Sequence, residues 1–332
     1  MNTGKYLQEK QPYLAKSFLH AFQGGKSSHA YLIVGEPGTP LKDTALLLAK
    51  TFLCDHPNPF ADETCNTCTR IANGEYPDFV FLNGESESIK KDTIKETINL
   101  FHMTPLERKG TMVYIIHLVE NMVPAAESTL LKFLEEPTTN TYAILTTQNE
   151  EKVLPTVISR CEKLRLLPTP REEVFQEAVA LGANPTDARI LSRFHNYGES
   201  IHDLLTKDEM QKERAEYLAI KEAAVNLVSA ASYSPHLARF TAEKDIAPLL
   251  TTKPKSRLFF DILSALLEEI VAIKSGREPT LSDYATITEE AANKLPHVEN
   301  SLLSAMTLRG EVEMNIKIVL LLNHLVNILV TE

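Results

Sequence analysis

Residues 112–161 read MVYIIHLVENMVPAAESTLLKFLEEPTTNTYAILTTQNEEKVLPTVISRC, and this stretch decides the fold. Met112-Val113-Tyr114-Ile115-Ile116 is a short apolar run, partly β-branched, of the kind that forms a strand buried on both faces. Pro124 suits the first turn of a following helix, in which Ala126, Leu130, Phe133 and Leu134 recur at helical spacing. Pro137 is expected to stop that helix. Tyr142-Ala143-Ile144-Leu145 then reads as the next buried strand. Strand–helix–strand units build parallel sheets, whose ligand sites lie beyond the strand carboxyl ends. At that end, where a nucleotide-hydrolysing enzyme wants an acid, the sequence has His117.

The same alternation extends towards the N-terminus. Residues 13–23 read as a helix ended by Gly24-Gly25, Tyr31–Val34 as a strand, and 42–53 as an amphipathic helix. A cysteine-bearing segment intervenes. Phe79–Leu82 is then a strand, 92–101 a helix, and Glu162–Leu167 a last strand. Five strands alternating with helices predict a doubly wound α/β domain over residues 1–168. Pro168-Thr169-Pro170 makes a linker. The pattern beyond it is purely helical: a small unit over 169–206 and a larger all-α unit over 207–332. In the larger unit Phe259, Ile262, Leu263, Leu266, Ile270 and Ile273 form one apolar stripe. Ile318, Leu321, Leu322, Leu325, Ile328 and Leu329 form another. Such stripes pack into a bundle or against partner helices, and most of each is expected in the chain's own core.

Composition sets bounds on function. With 332 residues, 43% of them hydrophobic, the chain can bury a large core and divides into two or three domains. A net charge of -10 argues against free-standing, tight nucleic-acid binding, which needs clustered Lys and Arg. The N-terminus carries no signal-peptide core. The most apolar stretch, Ile316 to Val330, is interrupted by Asn323, His324 and Asn327, and is shorter than the roughly 20 residues of a bilayer span. A cytoplasmic protein without a membrane association is expected. Three of the four cysteines crowd into Cys54–Cys68, which in a reducing compartment suggests metal more than disulfides.

Two motifs of nucleotide hydrolysis are missing. A phosphate-binding loop needs G-x-x-x-x-G-K-[ST] between a strand and a helix. Its backbone N–H groups approach the phosphates, its Lys neutralises charge, and its hydroxyl holds magnesium. Here the loop reads Gly35-Glu36-Pro37-Gly38-Thr39-Pro40-Leu41-Lys42-Asp43. Pro40 replaces the second glycine and cannot donate, Leu41 stands at the lysine, and Lys42 at the hydroxyl. After the strand at 112–116, His117 and Leu118 stand where Asp would hold the metal and Glu would polarise water. Two independent losses indicate a fold that kept its shape and gave up hydrolysis.

Leu130-Leu131-Lys132-Phe133-Leu134-Glu135-Glu136-Pro137, followed by Leu154–Ile158 and Ser159-Arg160-Cys161, resembles the AAA+ subunits of sliding-clamp loaders. His29-Ala30-Tyr31-Leu32, the cysteine segment and Tyr76-Pro77-Asp78-Phe79 extend the likeness across the first half of the chain. The second half matches only in helical character and length. The missing loop and acid resemble the delta-prime branch of bacterial DNA polymerase III rather than the gamma/tau motors. The resemblance implies an AAA+ domain, a helical lid, and a collar over 207–332 that joins subunits into a hetero-oligomer. It also implies a chain that does not bind ATP productively. Its partners would be gamma/tau and delta subunits, with the sliding clamp and primer-template DNA inside the complex. Arg160, in the Ser159-Arg160-Cys161 motif, would be an arginine finger acting in trans on a neighbour's ATP, a task suited to its planar, permanent charge. Taken alone, Arg160 would be a surface arginine on a loop.

The family also binds zinc through four cysteines in this insertion. Alignment gives Cys54, Asp62, Cys65 and Cys68, with Asp supplying an oxygen ligand and His56 a nearby substitute. Family motors carry an arginine in a Gly-Ser-x-Arg stretch of the lid; here Gly198–Asp203 puts His202 at that place. Lys90, Lys91 and Lys95 could touch the DNA backbone, although such lysines more often form a solvated face. Two other readings compete: an active gamma/tau-like ATPase using Lys42 after a one-residue slip, and a zinc-dependent binding module outside replication.

Overall fold

The computed structural model describes residues 2–85, 87–101, 104–136, 138, 140–314 and 316–330. The chain divides into two compact units, Met1–Pro170 and Arg171–Glu332.

The first unit opens with α1 (Thr3–Lys10) and α2 (Pro12–Gln23) and continues through β1 (Ala30–Gly35) and α3 (Leu41–Leu53). It then has α4 (Asn66–Ala72), β2 (Phe79–Asn83), α5 (Lys91–Phe101), β3 (Met112–His117), α6 (Pro124–Glu135), β4 (Thr141–Thr147), α7 (Pro155–Ile158) and β5 (Glu162–Leu166). Among the described residues the strands form one five-stranded sheet in the order β2-β3-β4-β1-β5, with every neighbouring pair parallel. β1 pairs Leu32 with Leu145 of β4 and Leu32 with Lys163 of β5, while β3 pairs Ile115 with Ile144.

Residues along each strand alternate between two cores. Tyr31, Ile33, Val113, Ile115 and Ile144 pack with α1, α2 and α3, whereas Leu32, Val34, Tyr114, Ile116 and Leu145 pack with α5 and α6. Burial on both sides explains why the inner strands β1, β3 and β4 read as largely apolar runs. Helix α6 starts at Pro124 as its sequence requires, and Ala126, Leu130, Phe133 and Leu134 are its buried residues. The stop expected at Pro137 lies outside the described residues. The edge strand β2 is only half-buried along its length.

The second unit is all-helical: α8 (Arg171–Ala180), α9 (Pro185–Leu191), α10 (Gly198–Thr206), α11 (Gln211–Tyr233), α12 (Pro235–Thr241), α13 (Lys253–Lys274), α14 (Ala285–Lys294), α15 (Val298–Glu311) and α16 (Ile318–Val330). One apolar core runs from Val174 to Leu329. Phe259, Ile262, Leu263, Leu266 and Ile270 of α13 and Leu321, Leu322, Leu325 and Leu329 of α16 lie in it, while Ile273 and Ile318 are half-buried at its margin. Gly198 lets α10 approach α8, since a Cβ there would stand 2.4 Å from the Ala178 nitrogen. Among the described residues no helix is long and apolar enough to cross a membrane.

Candidate functional site

The loop after β1 stands at the carboxyl end of the sheet, where a parallel α/β fold places ligands. Its hydrogen bonds close it on itself. Thr39 donates its N–H at 3.0 Å and its hydroxyl at 2.6 Å to the Glu36 carbonyl, and the Leu41 N–H donates to Thr39 O at 2.7 Å. Two of the N–H groups that would face a phosphate in a binding loop, those of Thr39 and Leu41, are therefore engaged within the loop, and Pro40 has none. Gly38 sits at φ 90°, a backbone region that favours glycine. Gly35 is required by packing, because a Cβ would stand 2.4 Å from Thr39 Oγ1 and 3.2 Å from Leu166. Leu41, 1% exposed, is a core residue of the first unit. Lys42 points its amine at the Phe81 ring, 5.5 Å from the centroid.

His117 closes the other half of the site. Its Nδ1 meets Thr146 Oγ1 at 2.7 Å, and that hydroxyl also accepts from the Leu118 N–H at 3.0 Å. Its Nε2 lies 3.4 Å from Glu85 Oε1. Burial lowers the imidazole's pKa below the ordinary histidine value, against the pull of Glu85. A neutral ring tied between β3 and β4 offers magnesium no anionic oxygen.

The Ser159-Arg160-Cys161 turn follows α7. Arg160 Nη1 donates to Thr156 O at 2.8 Å and to Ser159 Oγ at 3.3 Å, and Nη2 donates to Glu135 Oε1 at 2.6 Å. Its side chain is 32% exposed and that of Glu135 49% exposed, so the guanidinium is open to solvent beside a surface carboxylate. Cys161 packs against the core on the α5–α6 side of the sheet, and burial pushes its thiol up to about 12. That thiol stays protonated at neutral pH and anchors the turn rather than reacting.

The cysteine segment forms a compact cluster. One ligand atom each from Cys54, Asp62, Cys65 and Cys68 lies within 4.8 Å of all the others. Cys54 Sγ and Cys65 Sγ are 3.8 Å apart, matching the roughly 3.8 Å edge of a tetrahedron whose zinc–sulfur arms are about 2.3 Å. All the cysteines are free thiols. Cys65 caps α4, accepting from the Cys68 N–H at 3.4 Å, and Asp62 Oδ1 accepts from the N–H groups of Thr64 and Cys65, both at 3.1 Å. These backbone bonds hold the Asp62 carboxyl down at about 2, so it is anionic and fit to ligate, whereas burial raises the Cys54 and Cys68 thiols. Donor set and spacing fit a structural zinc ion; His56 is not among the clustered ligands.

The remaining sequence candidates are three lysines of the first unit and a histidine of the second. Lys90, Lys91 and Lys95 are exposed at the start of α5, beside the acidic Asp92 and Glu96. Helix α5 begins at Lys91, because Ile89 is held in a bridge to Met122. His202 lies on α10, 3.7 Å from Asp203 Oδ1. Sequence reasoning missed the partners: Thr146 and Glu85 for His117, Lys109 donating to the Cys54 carbonyl, and Glu135 for Arg160. A signal for Glu135 was present, since an acid at the carboxyl end of a helix opposes the helix dipole and calls for a nearby cation.

The family profile described as "DNA polymerase III, delta subunit" matches residues 10–170. The chain is 29% identical over 326 residues to the DNA polymerase III subunit delta' of Bacillus subtilis (strain 168), spanning 97% of both chains. With the DNA polymerase III subunit tau of the same organism it shares 33% identity over 156 residues, 46% of this chain and 27% of that one. A gamma subunit-related protein of Thermotoga maritima shares the fold, with a TM-score of 0.53 at 18% identity, over 94% of this chain and 98% of that one.

Proposed function

We propose that this chain, similar over nearly its whole length to a DNA polymerase III subunit delta' and over residues 10–170 to the DNA polymerase III delta-subunit profile, is the clamp-loader subunit that supplies an arginine and hydrolyses nothing itself. The observation that carries the reading is the closed loop after β1. Leu41 is buried in the core, the N–H groups of Thr39 and Leu41 are engaged by the loop's own carbonyls, and Pro40 has no N–H to offer. A nucleotide would have to open those two bonds to use the Thr39 and Leu41 donors, and would find a hydrocarbon in place of a cation. The neutral, hydrogen-bonded His117 supports the same conclusion, because it cannot hold magnesium as an aspartate would.

In this reading Arg160 projects towards the ATP of a neighbouring gamma/tau motor and stabilises charge on the phosphate in flight. A finger supplied in trans contributes on the order of 10³–10⁵ in rate in other NTPases. Ser159 and Cys161 shape and anchor its turn. Residues 169–206 serve as the lid and 207–332 as the collar that joins gamma/tau and delta subunits. The assembly places the sliding clamp on primer-template DNA. Cys54, Asp62, Cys65 and Cys68 hold a structural zinc ion, which ties the segment between α3 and β2 to the body of the unit.

Titration of the isolated chain with magnesium-ATP in a calorimeter tests the first half of the proposal. The expected result is no heat of binding in the micromolar range and no turnover. Micromolar binding with turnover would instead favour an active motor with an unusual loop.

A further inference from the structure

We propose that Glu135 is a positioning residue that sets the Arg160 guanidinium for its work in trans; the inference rests on the arginine-finger reading above. Three acceptors converge on that guanidinium. Two, Thr156 O and Ser159 Oγ, belong to the arginine's own turn and move with it. The third, Glu135 Oε1 at 2.6 Å, comes from a different element. Glu135 is the last residue of α6. That helix end is fixed, because Leu130, Phe133 and Leu134 are buried beneath it and Leu134 O meets His29 Nε2 at 3.1 Å. The arginine turn is thus referenced to the body of the sheet domain through one carboxylate.

The donor count leaves room for a ligand. A guanidinium has five N–H donors. Arg160 spends three on these acceptors, so two remain for phosphate oxygens while Glu135 stays bound. Both side chains are partly solvated, at 32% and 49% exposure, and a surface pair of this kind adds little to folding. Its effect falls on geometry. An arginine held only by its own turn shifts with that turn, and each displaced geometry moves the charge away from the reacting phosphate. The contact therefore acts on the chemical step in the neighbour and leaves nucleotide affinity alone.

The full loader, assembled with this chain carrying Glu135→Ala, Glu135→Gln, Arg160→Ala or the Glu135→Ala/Arg160→Ala pair, tests this by ATPase kcat and KM, with sedimentation confirming an intact complex. Glu135→Ala is expected to lower kcat by roughly three- to tenfold with KM unchanged. Glu135→Gln keeps an acceptor oxygen and should recover most of the loss. The double variant should be no slower than Arg160→Ala alone, because the carboxylate acts only through the arginine. A Glu135→Ala loader as fast as wild type overturns the inference, as does a Glu135→Gln loader faster than wild type, which would make the carboxylate a brake. If Glu135→Ala does not assemble, Glu135→Asp substitutes: its shorter reach should slow the loader, and a wild-type rate counts against the role. Should Arg160→Ala itself leave kcat intact, the finger reading falls and takes this inference with it; if only the Glu135 variants are silent, the finger stands and the inference fails.

Discussion

In the proposed reading, Leu41 is the side chain that closes the nucleotide site. It begins α3 at the place of a phosphate-gripping lysine and is 1% exposed in a core that includes Tyr31, Ile33 and Leu166. A lysine there would bring an unpaired charge into that core. Leu41→Lys is therefore expected to destabilise the first unit by about 3–5 kcal/mol, read as a lower denaturant midpoint, without conferring ATP binding. An unchanged midpoint would mean that the side chain has a path to water. His117 makes the complementary point. The sequence exposed it as an anomaly at a strand end, but not its environment: Thr146 and Glu85 come from distant positions that only the sheet brings together.

Elements were legible in proportion to how fully they are buried. All five strands were anticipated: β1, β3 and β4 because burial on both faces leaves a run of apolar residues that needs no knowledge of partners, and the half-buried edge strands β2 and β5 from shorter patterns. Four of them were read one to three residues short, because ends such as Thr146-Thr147 are polar yet buried, and β5 was read one residue long. Helix α1 escaped, as its eight residues carry only Thr3, Tyr6 and Leu7 inwards. Helix α4 escaped too, hidden in the cysteine segment, where Cys65 caps it and Cys68 and Ile71 are its buried residues. The metal reading belongs at this scale. Chain purified without chelator is expected to carry about one zinc per molecule by elemental analysis, lost in Cys68→Ala and weakened in Asp62→Ala. Removing the ion should lower the melting temperature of the first unit, since zinc binding is linked to folding of its loop. A metal-free protein with an unaltered melting temperature after chelation would remove zinc from the account.

At the scale of the whole molecule the two units were read unequally. The first carries short motifs whose order is specific: the residues around His29, the Leu130–Glu136 helix end and the Ser159-Arg160-Cys161 turn. The structure gives several of them definite contacts, with His29 meeting Leu134 O, and Asp78 accepting from the N–H groups of Leu106 and Glu107. The second unit has helical stripes that predicted a packed helical core but no motif to anchor a role residue by residue. Its shared core from Val174 to Leu329 depends on which helices meet, and periodicity alone does not say that. Both units serve one claim, that this chain has lost its own nucleotide chemistry and lends an arginine to another subunit. Clamp loading on primed DNA by a reconstituted loader carrying Arg160→Ala measures that claim most directly. The account predicts an intact assembly whose loading rate and ATPase fall by roughly tenfold or more. An assembly that loads clamps and hydrolyses ATP at the wild-type rate would contradict it.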